Sequence, residues 1–413
     1  MESITYTRQV PLRYRAQVAV LGGGIAGVTA AIAAAEAGAS VLLADRFGEL
    51  GGNATSGGVA NFCGDCNGCG SIFDRIQQRL EEFRAIRPAR PSGSRVFDHR
   101  VLAVVLQEMA LEAGVRLLFH CRLADAVAEN GTVRQVILVG ASGMEALQAD
   151  IFIDCTGDGA LARAAGFAQM RGTPYQLPMS VMGFARHVKD LSEREDVPPA
   201  FHRYDRAEEM PMTTEWPDGP GSSALKIKVP RLDATDTEQL TAAEIEARRR
   251  LLAAVEYYQQ KEGRLWNYGG SSPIIGIREG YRTVGDYVLT VEDLRAGRKF
   301  DTAVARGVYP LDGHKPDDDG RTYILPKEAR DVPPYQIPME CLVVRDGQNM
   351  LMAGRCFSAD QLALSSARVM TTCAMMGTAA GMAAGLCVKA GCRIRELDYL
   401  ALRRQLEQNG AVL

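Results

Sequence analysis

Apolar positions along the chain fall into short runs separated by glycine, alternating between strand-like and helix-like periods. Residues 17–21 (Gln-Val-Ala-Val-Leu) form an apolar run without polar alternation, as a strand covered on both faces requires. Three glycines follow, then an alanine-rich run to Gly38 that reads as a helix, then a second apolar strand at 41–44 closed by Asp45. Helical periodicity returns at 72–86 and 100–113, and 115–120 reads as a strand. Runs at 123–129, 133–139 and 145–149 are separated by Asn130-Gly131 and by the glycine-bounded 140–143, which predicts a β-meander with hairpin turns. A separate apolar strand is expected at 151–155, a helix with one charged side at 242–261, and a short strand at 350–353.

Residues 369–388 carry no charge over twenty positions, long enough to span a membrane. Gly377, Gly381 and Gly385 recur there at the spacing of a close helix-packing face. Alanine, glycine, threonine and methionine dominate, so transfer to lipid is weakly driven and a buried helix is expected instead of membrane insertion. The apolar stretch 18–35 is broken by the three glycines and lacks a convincing cleavage site, which argues against a signal peptide.

Gly22-Gly23-Gly24-Ile25-Ala26-Gly27 matches G-x-G-x-x-G between a strand and a helix, with a second strand ending in an acid. In that pattern Gly22 permits a tight turn and Gly24 lets the backbone approach a pyrophosphate. Gly27 allows helix and strand to pack closely, and the helix N-terminus offers unpaired N–H groups to the anion. Asp45 would accept hydrogen bonds from the adenosine ribose. The motif implies a dinucleotide but does not separate FAD from NAD. A simple NAD fold would continue with alternating strands and helices; here a Gly- and Cys-rich loop, helices and a meander follow.

Composition narrows the partners. The 413 residues suggest two or three domains, and 46% hydrophobic with 23% charged residues excludes wholesale disorder. A net charge of −3 without a basic excess argues against nucleic acid. Ten cysteines are too sparse for a disulfide scaffold, and Cys155, Cys373 and Cys387 sit in apolar stretches, as reduced thiols of a cytoplasmic protein would.

Several segments together resemble the bacterial FAD-dependent oxidoreductase family of the two-dinucleotide-binding-domain flavoproteins, distantly similar to fumarate reductase flavoproteins. They are residues 51–58 after the second strand, Asp154-Cys155-Thr156-Gly157-Asp158-Gly159, 277–290, Ile337-Pro338, and 349–355 with 365–385. The resemblance implies an α/β fold: a Rossmann-like FAD-binding domain with a β-meander and an inserted α+β substrate domain. Its expected division is 1–168 and 346–413 for the FAD domain, with 169–345 as the cap. FAD would contact Gly22, Gly24, Ile25, Ala26, Gly27, Asp45, Arg46, Gly52, Asn53, Ala54, Thr156, Gly157, Asp158, Gly354, Arg355 and Met370. The small-residue helix would point its N-terminus at the flavin pyrimidine ring, where Arg368 could stabilise the reduced, negatively charged form; a structural arginine on a packing face is the alternative.

Arg278, Glu279, Tyr281 and Arg282 cluster after the apolar 273–277. Arg278 or Arg282 could orient a substrate carboxylate or carbonyl, or either could form a structural ion pair. His187 and His314 are candidate acids or bases. Gln361 stands where many family members carry histidine, so acid–base chemistry at that position is in doubt.

Cys63, Cys66 and Cys69 have C-x-x-C-x-x-C spacing, which could hold an iron–sulfur cluster or zinc, or act as redox thiols. No fourth ligand lies nearby, so a cofactor loop with incidental thiols and no metal is expected. Residues 190–225, rich in Pro, Gly, Asp and Glu, read as an exposed insertion or lid, and 317–320 as a solvated turn. Two functions compete. One is hydride transfer between flavin N5 and a small organic substrate; the other is an electron relay to a partner through the cysteine cluster. The implied partners are a small-molecule substrate and an unidentified electron donor or acceptor, with homo-oligomerisation left open.

Overall fold

The computed structural model describes residues 3–172 and 176–413. Strand Leu12–Leu21 lies inside a seven-stranded sheet, parallel to Val41–Ala44 on one side and to Gly143–Asp154 on the other. Strand Arg116–Leu118 extends the parallel series beyond Val41–Ala44. Val18, Val20, Leu43 and Ile153 are buried here, which is why these runs lack polar alternation.

The runs at 145–149 and 151–155 are one twelve-residue strand, not two. Its two halves serve different partners on the same edge: residues 143–148 pair antiparallel with Thr132–Gly140, and 152–154 pair parallel with Met350–Met352. Exposed Asp150 looked like a break because it sits where the partners change, and its carbonyl accepts from Asn349 Nδ2 at 3.0 Å.

Helix Ile25–Glu36 is backed by helix Met370–Ala390, of which 83% of the most apolar stretch is buried within the protein. A Cβ at Gly377 would overlap the Ala26 carbonyl, and one at Gly381 would stand 2.8 Å from Ala30 Cα. The glycine spacing is a close-packing face between these two helices.

A four-stranded antiparallel sheet forms the cap, in the order Thr213–Pro217, Ser222–Val229, Met179–His187, Trp266–Ser271. Helix Thr237–Gln260 packs on its outer face through Ala243, Ala247 and Leu251, against Val181, Leu225, Ile227 and Val229. The period-two alternation therefore sends Lys226 and Lys228, opposite Met182 and Ser180, to the inner face toward the dinucleotide fold.

Two expectations change. Residues 190–225 are largely exposed, as an insertion would be, but they are anchored to the cap: Val197, Tyr204 and Met210 are in its core, and Gln259 accepts the Val197 N–H at 2.9 Å. The division 169–345 also shifts, because Leu289, Val304, Tyr335, Ile337 and Met339 join the core of the dinucleotide fold, whereas the cap core runs from Met179 to Ile277.

Candidate functional site

A cleft of about 820 Å³ runs from the first strand–helix turn, along the sheet's carboxyl edge, to the cap. All the residues assigned to the cofactor line it except Gly27. That residue is buried in the turn, where a Cβ would overlap the Gly22 carbonyl and stand 3.2 Å from Cys155 Cβ. Its place is in helix–strand packing.

The turn suits a pyrophosphate. Gly22 has φ +102°, and a Cβ there would meet the backbone of Cys155 and Thr156, just past strand Gly143–Asp154. At Gly24 the backbone is extended, φ −64° and ψ 177°, and a Cβ would meet nothing within 4 Å. The open space before Gly24 is thus room for a ligand, not for the protein. No side chain caps the helix and no acid occupies its first turn, so its positive end is free for an anion.

Asp45, 7% exposed, accepts from the backbone N–H of Gly23 and of Phe47, the latter at 2.7 Å. Burial raises its carboxyl above the usual range, against those two hydrogen bonds. It braces the glycine loop and lines the cleft. Asn53 Nδ2 donates to the Ile277 carbonyl at 2.9 Å, tying the cofactor loop to the cap. Arg355 pairs with Asp158 at 2.8 Å, each at the cleft.

Arg368 lines the cleft just ahead of helix Met370–Ala390, whose first turn likewise has neither side-chain cap nor acid. Its Nη2 donates to the Asp312 carbonyl at 3.2 Å and to Oδ2 at 3.3 Å. Arg278 Nη1 reaches the same Oδ2 at 3.2 Å, and His314 Nε2 is 3.2 Å from Oδ1. Burial opposes ionisation of Asp312, but Arg278, His314, Arg368 and Lys228 outweigh it and hold the carboxyl well below its ordinary value. Burial lowers the Arg368 guanidinium to about 10, still charged at neutral pH. His314 is lowered by burial; neutral, it can donate from Nε2 to Asp312 and keep Nδ1 as an acceptor, which has no partner among the described residues.

Arg282 does not belong to this group. It lies 3% exposed, off the cleft, paired with fully buried Glu279. Glu279 also accepts from the Leu177 N–H at 2.8 Å, the Gly172 N–H at 3.1 Å and Gln361 Nε2 at 2.8 Å. The pair ties strand to loop, so Arg282 is withdrawn as a substrate clamp. Arg278 does not line the cleft either; it is ion-paired to Asp312, whose other arginine partner, Arg368, does. His187 instead contacts Ser223 at 2.9 Å and stacks on Trp266 in the cap sheet.

The three spaced cysteines sit in different surroundings. Cys66 and Cys69 are in the core, 2% and 3% exposed, and burial pushes both thiols up to about 12. Cys63 points elsewhere, toward Tyr309 and Asp312. Among the described residues no three His, Cys, Asp or Glu side chains are grouped to hold a metal.

Several lining residues escaped the sequence reading. Phe47, Arg163, Thr235 and the strand residues Arg122 and Asp125 come from distant parts of the sequence and carry no local mark. Asp312, Lys226 and Lys228 were also missed, although two lysines on one side of an apolar strand were a readable signal.

The sequence profile of the FAD dependent oxidoreductase family matches residues 17–406. The chain belongs to this family. It is an enzyme, and its cofactor is FAD. Among curated relatives, thiamine thiazole synthase of Aeropyrum pernix is 34% identical over 36% of this chain, and the match spans 56% of that relative's length. Digeranylgeranylglycerophospholipid reductase 2 of Methanopyrus kandleri is 28% identical, covering 72% of each chain. Among solved structures, a geranylgeranyl bacteriochlorophyll reductase-like protein of Thermoplasma acidophilum aligns with TM-score 0.49 and 14% identity, covering 96% of this chain and 83% of that one.

Proposed function

We propose that this FAD oxidoreductase transfers hydride to or from a small organic substrate held between the dinucleotide fold and the cap's inner face. The observation that carries the reading is Arg368, which lines the cofactor cleft and shares Asp312 with Arg278 at the edge of the cap. FAD would be held by the uncapped turn at Gly24, the Gly52–Ala54 loop, Asp45 and Gly354-Arg355, and would supply a two-electron centre at its N5.

The chain's own groups divide the remaining work. Arg368 and the free N-terminus of helix Met370–Ala390 set a positive potential where negative charge grows on reduction. Asp312 is a positioning residue that holds both guanidiniums and the His314 ring, leaving the unpartnered Nδ1 of His314 as the group that can take a proton. Arg278 orients a polar group of the substrate, and the cap sheet excludes water. Burial disfavours the reactive thiolates of Cys66 and Cys69, which favours hydride transfer over the relay reading.

The test is anaerobic exposure of the purified flavoprotein to a metabolite library while flavin bleaching is followed. In Arg368→Leu, reduction should slow far more than FAD binding weakens, because the charge to be stabilised belongs to the reduced state. Equal losses of both would make Arg368 a cofactor anchor and refute the assignment.

A further inference from the structure

Four cations from two parts of the fold surround one carboxylate: Lys226 and Lys228 on the inner face of the cap sheet, and Arg278 and Arg368 opposite them, all within electrostatic reach of Asp312. The other titratable neighbours are His314, Tyr309 and Cys63, whose burial favours their neutral forms, and Glu279, which acts on Arg368 but is paired with Arg282. Asp312 is already engaged by Arg278, Arg368 and His314. Lys228 is 0% exposed, and its Nζ has no hydrogen-bond partner among the described residues; Arg368 Nε is likewise unpaired. A buried ammonium without a partner is among the most costly arrangements a fold can hold. Ser180, opposite Lys228 across the sheet, also has an unpaired buried hydroxyl. The Glu279 carboxylate is taken by Arg282, and among the described residues no ion pair to Lys226 or Lys228 is formed.

We infer that Lys226, Lys228, Arg278 and Arg368 form the binding site for a substrate head carrying at least two negative charges, either a phosphoryl group or a pair of carboxylates. The inference rests on the proposed function above, which puts the substrate beside Arg368, the one member of the cluster that lines the cleft. One negative charge would leave the cluster with two uncompensated cations, whereas a dianion brings the four cations and Asp312 close to balance. Lys226 and Lys228 are then specificity residues, holding the anion from the cap side while Arg368 serves both the substrate and the cofactor edge. Burial and the surrounding cations push the Lys228 amine well below its usual value, which favours its neutral form until an anion arrives and restores the charge.

Calorimetric melting of the FAD-loaded protein tests this with inorganic phosphate and succinate as probes, and with chloride and acetate at matched ionic strength as controls. At saturation the fitting dianion should raise Tm by about 3 °C or more over the controls. The phosphate and succinate arms separate the two kinds of head. In Lys228→Met the shift should vanish while Tm without anion is unchanged or higher, because an apolar chain of similar length replaces an unpaired charge. Lys226→Gln, at a half-buried position, should weaken dianion binding at least tenfold and carries the test should Lys228→Met fail to fold. Absence of a dianion-specific shift, or a shift of equal size in the variants, overturns the inference. Flavin reduction by a neutral metabolite with no dianion shift would sink this inference and leave the oxidoreductase reading standing; a dianion shift without reduction by any metabolite would do the reverse.

Discussion

Replacing Gly24 by alanine should separate cofactor binding from folding. The Gly24 backbone is one any residue adopts, and its Cβ would enter open space. Alanine is a poorer N-cap than glycine, at a cost of up to about 1 kcal/mol. Restricting the unfolded chain offsets this by about 0.4–1 kcal/mol. The apoprotein's stability should therefore move by less than about 1 kcal/mol. FAD meets the methyl group directly. Displacing one charge-assisted hydrogen bond to the pyrophosphate removes about 1.5–3 kcal/mol, so Kd should rise roughly 10- to 100-fold. Gly22→Ala is the contrast: at φ +102° its Cβ would lie 2.8 Å from Thr156 Cα and nearer still to the Cys155 carbonyl. Left-handed backbone and a backbone clash together should cost on the order of 3 kcal/mol before any ligand is added. Urea denaturation of the apoproteins and flavin-fluorescence titration read the two effects. A Gly24→Ala protein with wild-type FAD affinity, or one as unstable as Gly22→Ala, would refute the argument.

Gly381→Leu should destabilise by at least about 1–3 kcal/mol, because the Ala30 backbone it would strike cannot yield; an unchanged urea midpoint would contradict the helix packing. Glu279→Gln should cost about 3–5 kcal/mol by stranding the Arg282 charge, and Arg282→Met added to it should recover part of the loss; simple addition of the two losses would deny the pair. The Cys66 and Cys69 thiols, raised from 9.0 to about 12, favour the folded state fully below pH 9, and this contribution is lost as pH climbs toward 12. Stability measured from pH 8 to 11 should fall less steeply in Cys66→Ala/Cys69→Ala; an unaltered slope would show that these thiols are not withheld from water.

Elements whose signals are local were legible from sequence. The glycine turn, its helix and the acid-ended second strand depend on residues within about thirty positions, and Gly377, Gly381 and Gly385 declared a packing face before its partner was known. The family-like motifs likewise carried most of the cleft wall. Tertiary structure alone decided what pairs across distance. Asp150 marked no strand end because two partners share one edge there, a matter of sheet order. Arg278 and Arg282, four residues apart and alike in composition, went to different fates because Asp312 faces one and Glu279 the other. Lys226 and Lys228 meet Arg368 only through the docking of the cap on the dinucleotide fold. A charge's role is set by the counterion and the burial it finds, and both are properties of chain segments brought together from far apart.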